Sequence, residues 1–292
     1  MIFNQLLANS LIIGSIYALV ACGFSLIYST NRFMHLAHGA SVVVSAYMLY
    51  WIFSVLGIPF WLSCILTLII ASAVGFGMYR LVYLPLQKKK SSNVILLLAS
   101  VGILILIENL VLLFFGADVK TIGYIQVQKG MEILGAVITP LQVFIIIVSV
   151  ILLVALYIFM KFTRLGRNMR AVADNKELAG IMGINYKRIA GFSFIIGSFL
   201  AGIAGILIGL EQNLEPTMGL NLMIKGFTGA IVGGITFVPG AIIGSYLLGI
   251  AENFGIWWLP SGYKDAIAFI LLFIFLLFKP SGIFGIDKGI KK

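Results

Sequence analysis

His35 and His38 stand three residues apart in NRFMHLAHGA, a spacing that sets both imidazoles on one face of a helix. Two histidines so placed could begin a metal site. No carboxylate lies within that segment, so a structural role, or a place along a solute path together with Gly39, suits the pair better. Glu108 and Asn109 fall in the middle of the apolar run ILILIENLVLL, and Glu252 lies near the end of another run. Ionisable groups at such depth are costly and often mark a path for solutes. A hydrogen bond between helices, with the glutamate protonated or paired, is the plainer alternative. Arg80 is near the end of its run, can snorkel to the interface and needs no role. There is no GxSxG, no HExxH, no paired-carboxylate arrangement and no glycine-rich phosphate loop ending in Lys-Ser/Thr. The chain is therefore not expected to be an enzyme or to hold a cofactor.

The elements that must position these residues are membrane spans. Of 292 residues, 61% are hydrophobic and 10% charged, against roughly 25% charged in a soluble domain. The composition is that of an all-α, polytopic integral membrane protein. The net charge of +10 does not point to nucleic acid, because the basic residues sit between apolar runs and act as topology signals. Cys22 and Cys64 lie inside apolar runs, without zinc spacing. The first 31 residues lack Lys and Arg, so the first run is taken as a retained span rather than a cleaved signal. Runs near 6–28, 37–55, 60–84, 93–115, 140–162, 187–210, 226–256 and 264–280 give about eight segments in one domain, 1–292.

Charge orients them. Lys88, Lys89 and Lys90 mark one cytoplasmic loop, and the segment 161–188 marks another, with seven basic and two acidic residues, net +5. The 116–139 connection is balanced and lies outside. The run 226–256 contains Pro239-Gly240 and the glycines Gly226, Gly229, Gly233, Gly234, Gly244 and Gly249. A re-entrant hairpin folded at Pro239-Gly240 would bring Lys279, Lys288, Lys291 and Lys292 to the cytoplasm; a single kinked span would leave them outside. LIIGSIYAL (11–19) echoes FIIGSFLAG (194–202), in spans of opposite direction, but IIGS is a common string in apolar sequence and does not by itself establish a repeat. Gly197, Ala201, Gly205 and Gly209 form a small-residue stripe suited to close packing, within the subunit in preference to between subunits.

The polar segment 163–186 is patterned as two short helices split at Asp174-Asn175. Met169, Val172 and Ala173 share one face, and Leu178, Ile181 and Met182 another. Asp174 followed by Glu177 fits a capping box, and Gly183 fits a left-handed helix end. A hairpin with apolar knobs and basic rims suits a groove on a protein partner, with an amphipathic element on anionic lipid as the alternative.

RLGRNMRAVADNKELAGIMGIN resembles the cytoplasmic coupling loop of the branched-chain amino acid ABC transporter permease family, of the LivH type. Arg170, Ala171, Ala173, Ala179, Gly183, Ile184 and Asn185 match that family's pattern. Asp174 stands one place early, with Asn175 at the usual acidic position. SIYALVACGFSLIYS, GAIVGGITFVPGAIIGSYLLGIAENF, YKDAIAF and KPSGIFG extend the resemblance over nearly the whole chain. HLAHG stands where the family usually has NFAHG, which puts in doubt any role of its Asn and Phe. The resemblance implies half of an importer pore in a bacterial or archaeal cell membrane. Its implied partners are a second permease, two cytoplasmic ATPases carrying ATP and Mg, and an extracytoplasmic solute-binding protein. A stand-alone secondary transporter or channel is the alternative.

Overall fold

A computed structural model describes residues 2–124 and 129–285. The helices run α1 (Ile2–Asn31), α2 (His38–Leu49), α3 (Phe60–Met78), α4 (Leu84–Lys88), α5 (Asn93–Phe115), α6 (Pro140–Phe162), α7 (Arg164–Asp174), α8 (Lys176–Ile181), α9 (Tyr186–Glu211), α10 (Met218–Gly233), α11 (Val238–Gly255) and α12 (Lys264–Phe278). π-helical turns at Tyr50–Val55 and Tyr79–Tyr83 prolong α2 and join α3 to α4. A small β-hairpin, Met131–Ile133 with Ala136–Ile138, interrupts the loop before α6. Seven helical stretches are long and apolar enough to cross a bilayer, and the α10–α11 pair, bent by 116°, supplies a broken eighth element.

That bend lies at 234–237, earlier than the expected Pro239-Gly240. Gly234, at φ +116°, leaves the helix, a conformation open to a residue without Cβ. Pro239 sits instead in the first turn of α11, where its missing N–H has no helical acceptor to lose. The broken element also begins earlier than its apolar run, at Met218, because Asn221 and Lys225 hide the first turns of α10 from a hydropathy reading.

The two ends of the bundle follow from contacts between loops. At one end the Phe3 and Phe254 rings are 5.3 Å apart, the Gln142 amide donates to Glu211 Oε1 at 2.8 Å and Lys120 bridges to Leu214. At the other, the Arg32 guanidinium donates to the Ala173 carbonyl, and the Ile283 amide donates to Val232 O at 2.8 Å. The bent pair therefore returns the chain to the first end, and α12 carries it to the end that holds segment 163–186. The excess of basic loop residues makes the latter end cytoplasmic. Lys279 lies on this side; Lys288, Lys291 and Lys292 lie outside the described residues.

α1 is the central post, wrapped by α6, α9, α10 and α11. Of its most apolar stretch 89% is buried, against 6% for the last span. Small residues make this possible. A Cβ at Gly23 would stand 2.8 Å from the Gly197 carbonyl, and one at Gly197 would stand 2.9 Å from the Gly23 carbonyl. The stripe on α9 thus packs within the subunit. α10 and α11 cross backbone to backbone at Gly229, Gly233, Gly240 and Gly244.

The two halves of the bundle share part of their contact pattern. α1 packs on α10 and α11 as α9 packs on α2 and α3, and α10 meets α12 as α2 meets α5. Gly39 and Gly219, each second in its helix, press on one another. The sequence echo falls on α1 and α9. It is three residues out of register, since matching Gly39 with Gly219 sets Gly14 against Phe194 and not Gly197.

Candidate functional site

At the cytoplasmic end, α6 stops at Thr163. Its hydroxyl accepts from the Gly166 amide at 3.0 Å and starts α7 directly. Gly166 lets α7 fold back against the Phe159 and Met160 backbone. Met169 and Val172 are buried against Leu26 of α1 and Ile189 of α9. The apolar face of α7 is therefore consumed inside the subunit and is not offered to a partner, unlike the expected pair of presented faces. Arg32, at φ +61°, ends α1 and sets its charge on the carbonyl end of α7, where a cation is favoured.

The second helix has a different cap from the one the sequence suggests. Asn175, not Asp174, is the capping residue: its Oδ1 accepts from the amides of Glu177 and Leu178, both at 3.0 Å. No Asp174–Glu177 capping box forms, because Asp174 is still the last residue of α7. Gly183 does end α8 in the left-handed region, at φ +81°. Its amide donates to Gly180 O at 3.0 Å, and the Ile184 amide donates to Ala179 O at 2.9 Å, the paired bonds of a Schellman end. Asn185 then caps α9 by accepting from the amides of Lys187 and Arg188. The Gly-Ile-Asn string is thus a helix stop, an apolar anchor and a helix start. Ala179 is buried with Ile184 beside it, whereas Arg170 and Asp174 are exposed and Ala171 is half-buried. Leu178, Ile181 and Met182 face outward, Ile181 and Met182 each 81% exposed. The Lys176 ammonium lies 4.1 Å from the Tyr186 ring centroid, where partial desolvation lowers its pKa from the ordinary lysine value.

A second polar site lies towards the outer end and was only partly legible in the sequence. Glu252 of α11 is fully buried; it accepts from the Tyr17 hydroxyl at 2.9 Å and faces Lys225 Nζ at 3.5 Å. Lys225 also meets Asp265 of α12 at 2.9 Å. One ammonium thereby ties α1, α10, α11 and α12 together, and with Tyr17 and Asp265 it lines a cavity of about 380 Å³. Hydropathy does not single out Lys225, which falls one residue before the apolar run, or Asp265, which opens the last span. An isolated Lys and an isolated Glu inside apolar sequence are the signal that could have paired them.

The remaining candidates separate. His35 and His38 are buried where α1, α2 and α9 meet, and His35 Nδ1 is 2.9 Å from the Tyr83 hydroxyl. Gly39 is buried against α10. Glu108 is half-buried on α5, and Asn109 is exposed there, donating to Ile105 O of its own helix at 2.7 Å. The structure does not bring Glu108 to Glu252 or to the histidines as one constellation.

Comparison with known proteins agrees with this architecture. Residues 6–276 match a family described as branched-chain amino acid transport system / permease component. The chain is 35% identical to the high-affinity branched-chain amino acid transport system permease protein LivH of Salmonella typhimurium, over 97% of this chain and 96% of that one. It is 33% identical to BraD of Pseudomonas aeruginosa, which has the same description, over the same shares. The solved structure of PsaBC from Streptococcus pneumoniae in complex with Fab superposes with a TM-score of 0.52, covering 96% of this chain and 93% of that one at 13% identity. This last likeness speaks for the fold alone.

Proposed function

The chain belongs to the branched-chain amino acid transport permease family, and we propose that it forms half of the membrane path of an ABC importer for branched-chain or related amino acids. Its partners on this reading are a second permease, two cytoplasmic ATPases that bind ATP and Mg, and an external solute-binding protein. The observation that carries the coupling role is the division of labour in segment 163–186. α7 is anchored to α1, α6 and α9, and α8 leaves Leu178, Ile181 and Met182 uncovered on the cytoplasmic side. Side chains of that kind fill a groove on a protein partner.

Arg170, Ala171, Asp174, Ala179, Gly183, Ile184 and Asn185 divide the work. Ala179 and Ile184 fix the hairpin to the bundle, and Gly183 and Asn185 shape its turn into α9. Arg170 and Asp174 line its exposed flank, with Ala171 between them. ATP-driven closure of the ATPases would push α8, and the push would pass through α7 to the central post as well as to the flanking spans α6 and α9. The path would then open alternately to the two sides of the membrane. Replacing Ile181 and Met182 together by Asp, which disturbs no buried contact, should abolish ATPase co-purification and uptake of labelled leucine while the full chain still inserts. Retention of both activities would overturn the coupling role.

A further inference from the structure

Four cations crowd one groove at the cytoplasmic boundary without an acid among them. The groove has a volume of about 660 Å³ and runs between α3–α4 and the first turns of α9. Arg80 and Lys88 stand on one wall, Lys187 and Arg188 on the other. Among the described residues none of the four has a carboxylate partner within salt-bridge distance. Like charges so gathered repel, and their cheapest relief is an anion from outside.

The rest of the groove is not built for a small soluble anion. Its walls are apolar, with Phe76 and Phe192 both exposed beside Ile195. Gly191 keeps the floor low, since a Cβ there would press on the Phe76 and Tyr79 rings at 3.3 Å. The Tyr79 hydroxyl donates to Lys187 O at 2.8 Å and ties the walls together. Arg80 projects from the π-helical turn at Tyr79–Tyr83, a distortion often found at functional positions. Both walls are membrane-spanning helices, so the apolar surface leads from the cations into the hydrocarbon.

We propose that this groove binds an anionic phospholipid of the cytoplasmic leaflet. Its phosphate sits among Arg80, Lys88, Lys187 and Arg188, and an acyl chain lies along Phe76, Phe192 and Ile195. Cations alone would suit any phosphate; the apolar walls select the lipid. Bound there, the lipid bridges α4 to the start of α9, directly beside the hairpin.

The test is native mass spectrometry of the purified full-length chain titrated with phosphatidylglycerol or with phosphatidylcholine of the same acyl chains. The wild type should retain phosphatidylglycerol preferentially. The double change Arg80→Gln, Arg188→Gln should lower that preference on the order of thirtyfold, about fivefold for each basic residue lost near the headgroup. Lys88→Gln with Lys187→Gln should repeat the loss independently, and Arg80→Lys with Arg188→Lys should restore it. Equal retention of the two lipids overturns the proposal. So does displacement by equimolar glycerol phosphate, which would make the ligand a free anion. A comparable loss in Lys89→Gln, Lys90→Gln, which lie outside the groove, would reduce the effect to net charge and overturn it too. Retained lipid with lost ATPase binding in the first variant would make the groove a protein interface.

Discussion

Replacing Lys225 by Met should destabilise the chain by about 3 kcal/mol, and most of that loss should vanish when Glu252 is changed as well. The reasoning starts from exposure. Asp265 is 58% exposed, so its pair with Lys225 contributes at most about 1 kcal/mol. Glu252 is fully buried, and the lysine facing it is only 14% exposed. Removing one partner of a buried pair costs roughly 3–5 kcal/mol, because the other charge is left without compensation. Glu252 keeps the Tyr17 hydroxyl at 2.9 Å, which places the expected loss at the low end, about 3 kcal/mol. Glu252→Gln retains an acceptor for Tyr17 and leaves Lys225 to Asp265, so it should cost only about 1–2 kcal/mol. In the double variant Lys225→Met, Glu252→Gln no buried charge is stranded, and the cost should stay near that of Glu252→Gln alone. Reversible denaturation in mixed micelles of the purified full-length chain, run as a double-mutant cycle, gives the coupling directly. A coupling of about 2 kcal/mol or more is expected. Additivity within about 0.5 kcal/mol would refute the buried hub, since separate sites behave that way.

Asn175→Ala should remove the start of α8, at a local cost of about 1 kcal/mol; hydrogen exchange at the amides of Glu177 and Leu178 should speed up several-fold while α7 stays protected. Gly183→Ala meets no neighbouring atom but must adopt φ +81°, so it should cost about 1–2 kcal/mol of local stability, with Gly183→Asn milder, read by limited proteolysis of the hairpin. Gly244→Ala drives a methyl into the Gly229 and Gly233 backbone and should lower the melting temperature in detergent through an overpacking cost of roughly 1–3 kcal/mol. Gly77→Ala, which meets open space within α3, should raise or leave unchanged the same melting temperature.

Which of these positions could be read from the sequence depends on the range of the interaction. The spans were legible because hydropathy sums over about twenty residues. The hairpin was legible because Gly183 and Asn185 act on their own neighbours in the chain. The same locality misled at Asp174: one residue decides which side chain reaches the free amides, and spacing alone favoured the capping box over Asn175. Pro239 misled in a similar way, since proline marks a helix start as readily as a break. Nothing local announces that Lys225 will meet Glu252 and Asp265. Those partners are joined by the bend at 234–237, which brings α10 and α11 together. Nor did periodicity separate the buried face of α7 from the exposed face of α8, because both are apolar and only the tertiary fold assigns one of them to the core.

The central position of α1 sets the order in which the molecule can be assembled. α1 leaves the ribosome well before α9, α10 and α11, which cover most of it. Until then the future core post has α6, α7, the β-hairpin and a small part of α2 as its native neighbours. Its hydroxyls suit that wait. Ser10 and Ser15 donate to Leu6 O and Leu11 O within the same helix, both at 2.7 Å, so they need no neighbour to be satisfied in hydrocarbon. Ser25, whose hydroxyl donates to Ile235 O at 2.9 Å, acquires that partner only after the bent pair has been made. A chain arrested after α8 would carry the whole topology of its first half but lack the helices that cover most of α1.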